Sequence, residues 1–232
     1  RKMYFELKEN RPHGTPENPF SQYHISDVKR AFQIPVHWHD ELEIIYVKQG
    51  KLHVTISGEN YIGSPKDAFV VSPGSQHFMG SPTGDADYYT FLFPLEYISF
   101  QTDDLMEKSI LSPLKRGRLM ISPQINDTAA DICERLIEIN AQISGKNAEN
   151  TDAANIEAQF ETKITLIKFI RKMWRNGLIL ENGTNGINTT EKEMITYIWQ
   201  NYTREISLKE FGAQFHLSEK YISRYFKEHF HI

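Results

Sequence analysis

Apolar and polar positions change rhythm near residue 122. Before that point, short apolar or alternating runs are separated by turn residues. Leu42 to Val47 is rich in β-formers and its run ends at Gly50. Leu52 to Ile56 alternates, and Ser57-Gly58-Glu59-Asn60 turns the chain into Tyr61-Ile62. Ala68 to Val71 is an apolar run stopped by Pro73-Gly74, and Tyr88 to Phe93 is an aromatic run stopped by Pro94. Short strands at about ten-residue spacing predict a sandwich or barrel. Arg11 to Phe20 carries three prolines and a glycine and reads as an ordered surface arm.

After Pro123 the period becomes helical. Asn126 or Asp127 is placed to cap a helix in which Ile132, Leu136, Ile139 and Ile143 recur, and Gly145 to Asp152 is a polar break. Ile156, Phe160, Ile164, Ile167 and Trp174 form a second stripe. The pair predicts a helical hairpin whose stripes are buried on the barrel, on each other, or on a second copy as a homodimer. Gly177 stops the second helix, and Asn182-Gly183-Thr184-Asn185-Gly186 is the best linker in the chain. The expected organisation is α+β and multidomain: a barrel with its arm over 1–122, the hairpin over 123–180, a linker over 181–188 and an all-α unit over 189–232.

That last unit has three helices by pattern. Thr190-Glu191-Lys192-Glu193 is a capping box opening a helix to Tyr202, with Met194, Ile195, Ile198 and Trp199 inward. Ser207-Leu208-Lys209-Glu210 is a second box, opening Leu208 to Phe215 with Leu208, Phe211 and Phe215 on one face. His216-Leu217 turns, and Ser218 caps a helix from Glu219 to about His229, with Ile222 and Phe226 inward. A short helix, a turn of about three residues and a Ser-opened helix have helix-turn-helix spacing, with Ala213 as the small residue at the crossing. Lys220, Ser223, Arg224 and Lys227 then face outward. Arg224 is suited to fork onto guanine, and Lys220 and Lys227 to meet phosphates. The bland alternative is a solvated helix in a generic bundle. A net charge of −4 argues weakly against nucleic acid, but DNA senses the local arrangement rather than the sum.

The run from Ile206 to Lys227, with Leu-Ser-x-x-Tyr-Ile-Ser-Arg-x-Phe-Lys over 217–227, resembles the first helix-turn-helix of the AraC/XylS transcription regulators. The resemblance implies a DNA-facing set of Ser218, Lys220, Tyr221, Ser223, Arg224 and Lys227, with base reading by Lys220, Ser223 and Arg224. Gly212, inside the first helix, is a mild departure that lowers helix propensity. Family members carry two such motifs. This sequence stops after the first, so the second was cut away or not ordered, and one motif alone should hold DNA weakly.

His37-Trp38-His39-Asp40-Glu41-Leu42-Glu43 followed by Gly50 fits His-x-His-x3-Glu-x6-Gly, and Pro73-Gly74-Ser75-Gln76-His77 follows. Alternation on a strand would point His37 and His39 into a barrel, with Glu43 two pleats on and His77 on a neighbouring strand. Three nitrogens and a carboxylate suit zinc, iron, manganese or nickel. The two runs resemble the cupin signatures, although Ser72 stands where proline is usual and no asparagine follows His77. AraC-type regulators often carry such a barrel before their reader. The resemblance implies an effector pocket of His37, His39, Glu43 and His77 with Tyr89 and Phe91, whose rings would stack on a sugar. Metal binding, direct effector contact and plain packing remain open for the histidines.

Composition adds limits. At 40% hydrophobic and 24% charged residues the chain is neither disordered nor fibrous, and no run of about 18 apolar residues exists to span a membrane. Arg1 before Met3 reads as a trimmed start or an added scar, and no signal peptide follows it. The lone Cys133, among Ile132, Leu136 and Ile139, reads as a core thiol in a reducing compartment, so a cytoplasmic protein is expected. The leading expectation is a non-enzymatic regulator that binds double-stranded DNA and answers to a small-molecule effector, a carbohydrate among the candidates. The rival is a metal-dependent cupin enzyme, an isomerase or dioxygenase. A third reading is an interaction module whose C-terminal helices bind protein.

Overall fold

The computed structural model describes residues 8–9, 13–26, 30–144, 151–182 and 206–230, together with 194, 197, 201 and 204. Two antiparallel sheets carry the N-terminal half. One is ordered β1 (Ser21–Ile25), β8 (Asp87–Phe93), β3 (Leu42–Gln49), β6 (Ala68–Val71) and β10 (Gln124–Asn126). The other is ordered β2 (Phe32–His37), β7 (His77–Ser81), β4 (Leu52–Ile56) and β5 (Glu59–Gly63). Their facing sides share one core: Ile45, Val47, Phe69, Val71 and Tyr88 from the first pack with Leu52, Val54, Ile56 and Met79 from the second. β4 and β6 have the bounds that their pattern predicts. β1, β2 and β7 carry weaker signals and emerge only as partners.

A short helix, α1 (Ser112–Lys115), comes after β8, and two longer helices cover the outer face of the first sheet. Ile44, Tyr46, Phe91 and Phe93 join Ile132, Cys133 and Leu136 of α2 (Ala130–Ser144) and Leu166, Phe169, Ile170 and Met173 of α3 (Asp152–Arg175). The Tyr46 hydroxyl and the Lys48 ammonium both donate to Glu134 Oε1 at 2.7 Å, tying sheet to helix. Asn126 makes no side-chain cap. A single 3-10 turn, Asp127–Ala129, precedes α2 instead. α3 is properly capped by Thr151, whose side chain accepts from the Ala154 amide. Cys133 is fully buried, and burial pushes its thiol pKa up, as expected of a core filler.

The stripe expected to be buried on α3 is not. Ile156, Phe160, Ile164 and Trp174 are 55%, 62%, 43% and 60% exposed, and only Ile167 reaches the core edge. The helix carries two apolar faces, and tertiary packing selects Leu166, Phe169, Ile170 and Met173. After Gly177, at φ +66°, β11 (Ile179–Glu181) returns to pair with β9 (Leu119–Ile121). Glu181 thus belongs to a strand rather than to the linker. Residues 183–188 of that linker, the 145–150 part of the polar break, the start of the arm and most of the Thr190–Tyr202 helix lie outside the described residues.

Two helices close the described chain. α4 (Leu208–Phe215) is capped by Ser207, which accepts from the Glu210 amide at 3.1 Å. The Glu210 carboxylate does not reach back to complete a capping box; it accepts from Arg204 and Tyr197. His216 takes the left-handed conformation, and Ser218 Oγ accepts from the Tyr221 amide as α5 (Glu219–Phe230) begins. Ile222 and Phe211 are buried with Met194, while Leu208 turns outward at 49% exposure. The crossing residue is Gly212, not Ala213, which is exposed. A Cβ on Gly212 would lie 2.5 Å from the Leu217 carbonyl oxygen and 3.4 Å from Ile222 Cδ1. Its low helix propensity is therefore outweighed by close approach of the turn. Gly212→Ala should destabilise the α4–α5 unit by about 1–3 kcal/mol, as overpacking does. Faster hydrogen exchange at the Phe211 and Ile222 amides, with Ala213→Ser unchanged, is the expected reading.

Candidate functional site

Four side chains converge at one end of the space between the sheets. His37 ends β2, His77 opens β7, and Glu43 is the second residue of β3. His39 does not continue β2 as alternation suggested. It sits in the connection that carries the chain from the second sheet into the first, and this turn brings it beside Glu43.

Each imidazole is anchored in the same way. Nδ1 of His37 donates to the Pro35 carbonyl at 2.8 Å, that of His39 to Glu41 at 3.1 Å and that of His77 to Ser75 at 3.1 Å. A carbonyl can only accept, so Nδ1 carries the proton and Nε2 is the nitrogen left to the site. Glu43 Oε2 lies 3.2 Å from His39 Nε2 and 2.9 Å from His77 Nε2. One ring nitrogen from each of the three histidines falls within 4.8 Å of the others. His39, Glu43 and His77 are almost fully buried.

This environment divides the titrations. Burial, aided by His77, lowers the His37 pKa to about 4, so its imidazole is neutral near pH 7. Burial pulls His39 down as well, but the Glu43 and Glu41 carboxylates outweigh it and the net shift is upward. Burial alone would raise Glu43; His77 and His39 hold it well below the usual carboxylate range. In its imidazolium form His39 donates from both nitrogens, to Glu41 and to Glu43.

The donor set fits a divalent ion. Three Nε2 atoms fixed through their Nδ1 bonds, and one deprotonated carboxylate, are what a first-row metal or zinc takes.

Tyr89 and Phe91 are not brought to this cluster. Register pairs Glu43 with Leu92 and Ile44 with Phe91, so both rings lie on the opposite face of β8. Phe91 packs under the helices, and Tyr89 stacks on His24 at 4.0 Å. The tyrosine on the inner side is Tyr88, whose buried hydroxyl makes no hydrogen bond among the described residues. Two further residues reach the histidines from the arm. His13 packs edge-on to His39 at 5.8 Å and bonds Tyr23, while Glu9 Oε2 lies 3.3 Å from His13 and 3.7 Å from His37. A histidine inside a proline-rich arm was the available signal.

The DNA-facing residues expected on α5 are all exposed: Ser218, Lys220, Tyr221, Ser223, Arg224 and Lys227. Lys220, Ser223, Arg224 and Lys227 span an arc of about 100° opposite Ile222. The Arg224 guanidinium lies 5.8 Å from the Tyr221 ring centre.

A model of the AraC-like ligand binding domain matches residues 19–158. The chain belongs to that family. The matched range takes in both sheets, the histidine cluster, α2 and the first two turns of α3. YdiP of Escherichia coli K12, described as an uncharacterized HTH-type transcriptional regulator, is 23% identical over 197 residues. That match covers 84% of this chain and 61% of the relative, so the chain spans less than two thirds of the relative's length. A mutant of Bacillus subtilis oxalate decarboxylase OxdC aligns with 32% of this chain and 21% of its own at 21% identity, with a TM-score of 0.29. A conserved protein of unknown function from Streptococcus pyogenes aligns with 32% of this chain and 62% of its own at 13% identity, with a TM-score of 0.28. At those scores the two likenesses carry no argument. No helix among the described residues is long and apolar enough to cross a membrane.

Glu43→Gln in metal-free protein should lower the His39 pKa, because it removes the carboxylate that most opposes the effect of burial. An NMR titration of the imidazole resonances reads this directly; an unmoved His39 would mean that Glu43 does not set its charge.

Proposed function

We propose that this chain is the effector-sensing part and one DNA-reading unit of a transcription regulator. One observation carries the reading. Val36 and Trp38, on either side of His37, and Tyr225 and Phe226 of α5 are all partly buried against the same apolar cluster. The chain around a sensor residue and the helix that offers Lys220, Ser223, Arg224 and Lys227 to solvent therefore border one packing unit. A ligand that shifts the end of β2 would act on packing that α5 shares, as a two-state regulator requires.

In this reading α4 and α5 form a helix-turn-helix, with α5 in the major groove. Arg224 reads a base edge, Lys220 and Lys227 meet phosphates, and the Ser218-capped helix start faces the DNA backbone. The sensor site is His37, His39, His77 and Glu43, which would hold a divalent ion through three Nε2 atoms and one carboxylate. An ion that takes six ligands, manganese or iron rather than tetrahedral zinc, would leave positions open to an oxygen-bearing effector. The carbohydrate expectation leaned on Tyr89 and Phe91, and with both rings on the outer face it loses that support. The exposed face Ile156, Phe160, Ile164 and Trp174 runs along most of a 24-residue helix and is proposed as the contact with a second copy.

The reading is tested in the full-length protein. Arg224→Ala should cost about 1–3 kcal/mol of preference for the operator over random DNA and leave effector binding intact. Equal weakening on every sequence would remove Arg224 from base reading. Trp38→Ala should leave ligand affinity unchanged and abolish the change in DNA binding on ligand addition; a retained response would sink the coupling through β2. One equivalent of metal lost in His77→Ala would support the ion site. Substrate turnover at that site would instead favour a cupin enzyme.

A further inference from the structure

The histidine cluster has a second carboxylate beside it, and that carboxylate belongs to the arm. Lys8 and Trp38 form an isolated parallel bridge, in which the Glu9 amide donates to the Trp38 carbonyl at 2.9 Å. The Lys8 ammonium pairs with Asp40 at 2.8 Å and lies 4.8 Å from the centre of the Trp38 ring. Successive side chains of an extended segment point to opposite sides. With Lys8 turned to Asp40, Glu9 is delivered to the histidines, and its Oε2 lies 3.7 Å from His37 Nε2. The arm is thus registered on the link between His37 and His39.

The two carboxylates divide the nitrogens between them. Glu43 Oε2 lies against His39 and His77 from the first sheet, while Glu9 comes to His37 from the arm. Behind Glu9 stands His13. The side chain of His13 is 5% exposed, its Nδ1 is 3.0 Å from the Tyr23 hydroxyl, and its Nε2 is 3.3 Å from Glu9 Oε2. That buried Nε2 makes no well-directed hydrogen bond among the described residues, which is costly. A carboxylate fixed by an ion through one oxygen offers the other to such a nitrogen, as metal-bound carboxylates do with their outer partners.

We infer that Glu9 is a ligand that the arm adds to the ion site, with His13 as its positioning residue. The inference rests on the reading that His37, His39, His77 and Glu43 hold a divalent ion. Three imidazoles and Glu43 already complete a tetrahedral zinc site. An octahedral ion has room for a second carboxylate, and an ion that favours oxygen, such as manganese, gains most from it. Two carboxylates also balance the charge of a divalent ion. Glu9 therefore favours manganese over zinc, ties the arm to the ion, and leaves one position of an octahedral ion open.

Calorimetric titration of the metal-free chain with Mn(II) and with Zn(II) tests this. His13→Gln should weaken Mn(II) binding about tenfold, the lower end for an outer partner of a ligand. Glu9→Gln should weaken it further, and both variants should keep the Zn(II) affinity of the parent, which also shows that the site is still folded. Mn(II) should slow hydrogen exchange at the residue 9 amide in the parent and not in Glu9→Gln. His77→Ala should lose both ions. Unchanged Mn(II) binding in Glu9→Gln overturns the proposal and leaves the ion site standing, as does a parent that binds Zn(II) without Mn(II). Equal weakening of the two ions in Glu9→Gln also overturns it, by making Glu9 a structural part of the arm. A parent that binds neither ion sinks the ion reading itself, and this ligand with it.

Discussion

The arrangement depends on one strand being buried on both faces. Every residue of β3 from Leu42 to Val47 is out of solvent, its odd-numbered positions facing the second sheet and its even-numbered positions facing α2 and α3. Such a strand tolerates polar groups only where a partner is fixed for each. Glu43 finds His39 and His77; Tyr46 finds Glu134. A slip of one residue would exchange the faces and put the Glu43 carboxylate against the aromatic core around Phe91 and Phe169. Leaving a buried charge unpaired costs about 3–5 kcal/mol, comparable with a large share of a domain's net stability. The register of the central strand is therefore set by its two polar residues as firmly as by its apolar ones.

The same pairing explains why the site lies where the sheets meet. His37 and His77 come from the second sheet, Glu43 from the first, and His39 from the link between them. The cluster is a polar stitch across an otherwise apolar interior. Because it is shared, it drives equivalent groups apart: His37 is kept neutral by burial and by its neighbour, while His39 is drawn towards the imidazolium by carboxylates. Any ligand that replaces Glu43 as the partner of these rings alters both sheets together. Val36 and Trp38, the neighbours of His37, border the same apolar cluster as Tyr225 and Phe226 of α5.

Much of this was legible in the sequence, and the limits have physical causes. β4 and β6 could be read to the residue because glycine or proline bounds them and their side chains are buried in a simple pattern. β1, Ser-Gln-Tyr-His-Ile, is half-buried along its length and offers neither alternation nor an apolar run. The His-x-His spacing named side chains that do come together, but with the wrong local geometry, since His39 reaches Glu43 through a turn rather than along a pleat. Periodicity named an aromatic strand at Tyr88 to Phe93 but not its inner face, which follows only from pairing Glu43 with Leu92. Gly212 and Ala213 are both small. Only the position of the Leu217 carbonyl tells which one the turn approaches. On α4 and α5 the inward Ile222 and Phe211 and the outward cationic arc were readable, because a short capped helix has little freedom in which face it buries.

The two apolar faces of α3 and the arm across it bear on how the molecule can respond. One face of the helix is spent on the sheet through Leu166, Phe169 and Met173, so the helix is held without using Ile156 or Phe160. A cavity opens beside Ile156, roofed by the arm from Thr15 to Phe20. Two residues before Thr15, His13 packs on His39. A single short segment thus roofs the outer cavity and contacts the histidine cluster, held by Gln159 at one end and by Tyr23 at the other. Restraining that segment from either side changes the cost of ordering it from the other.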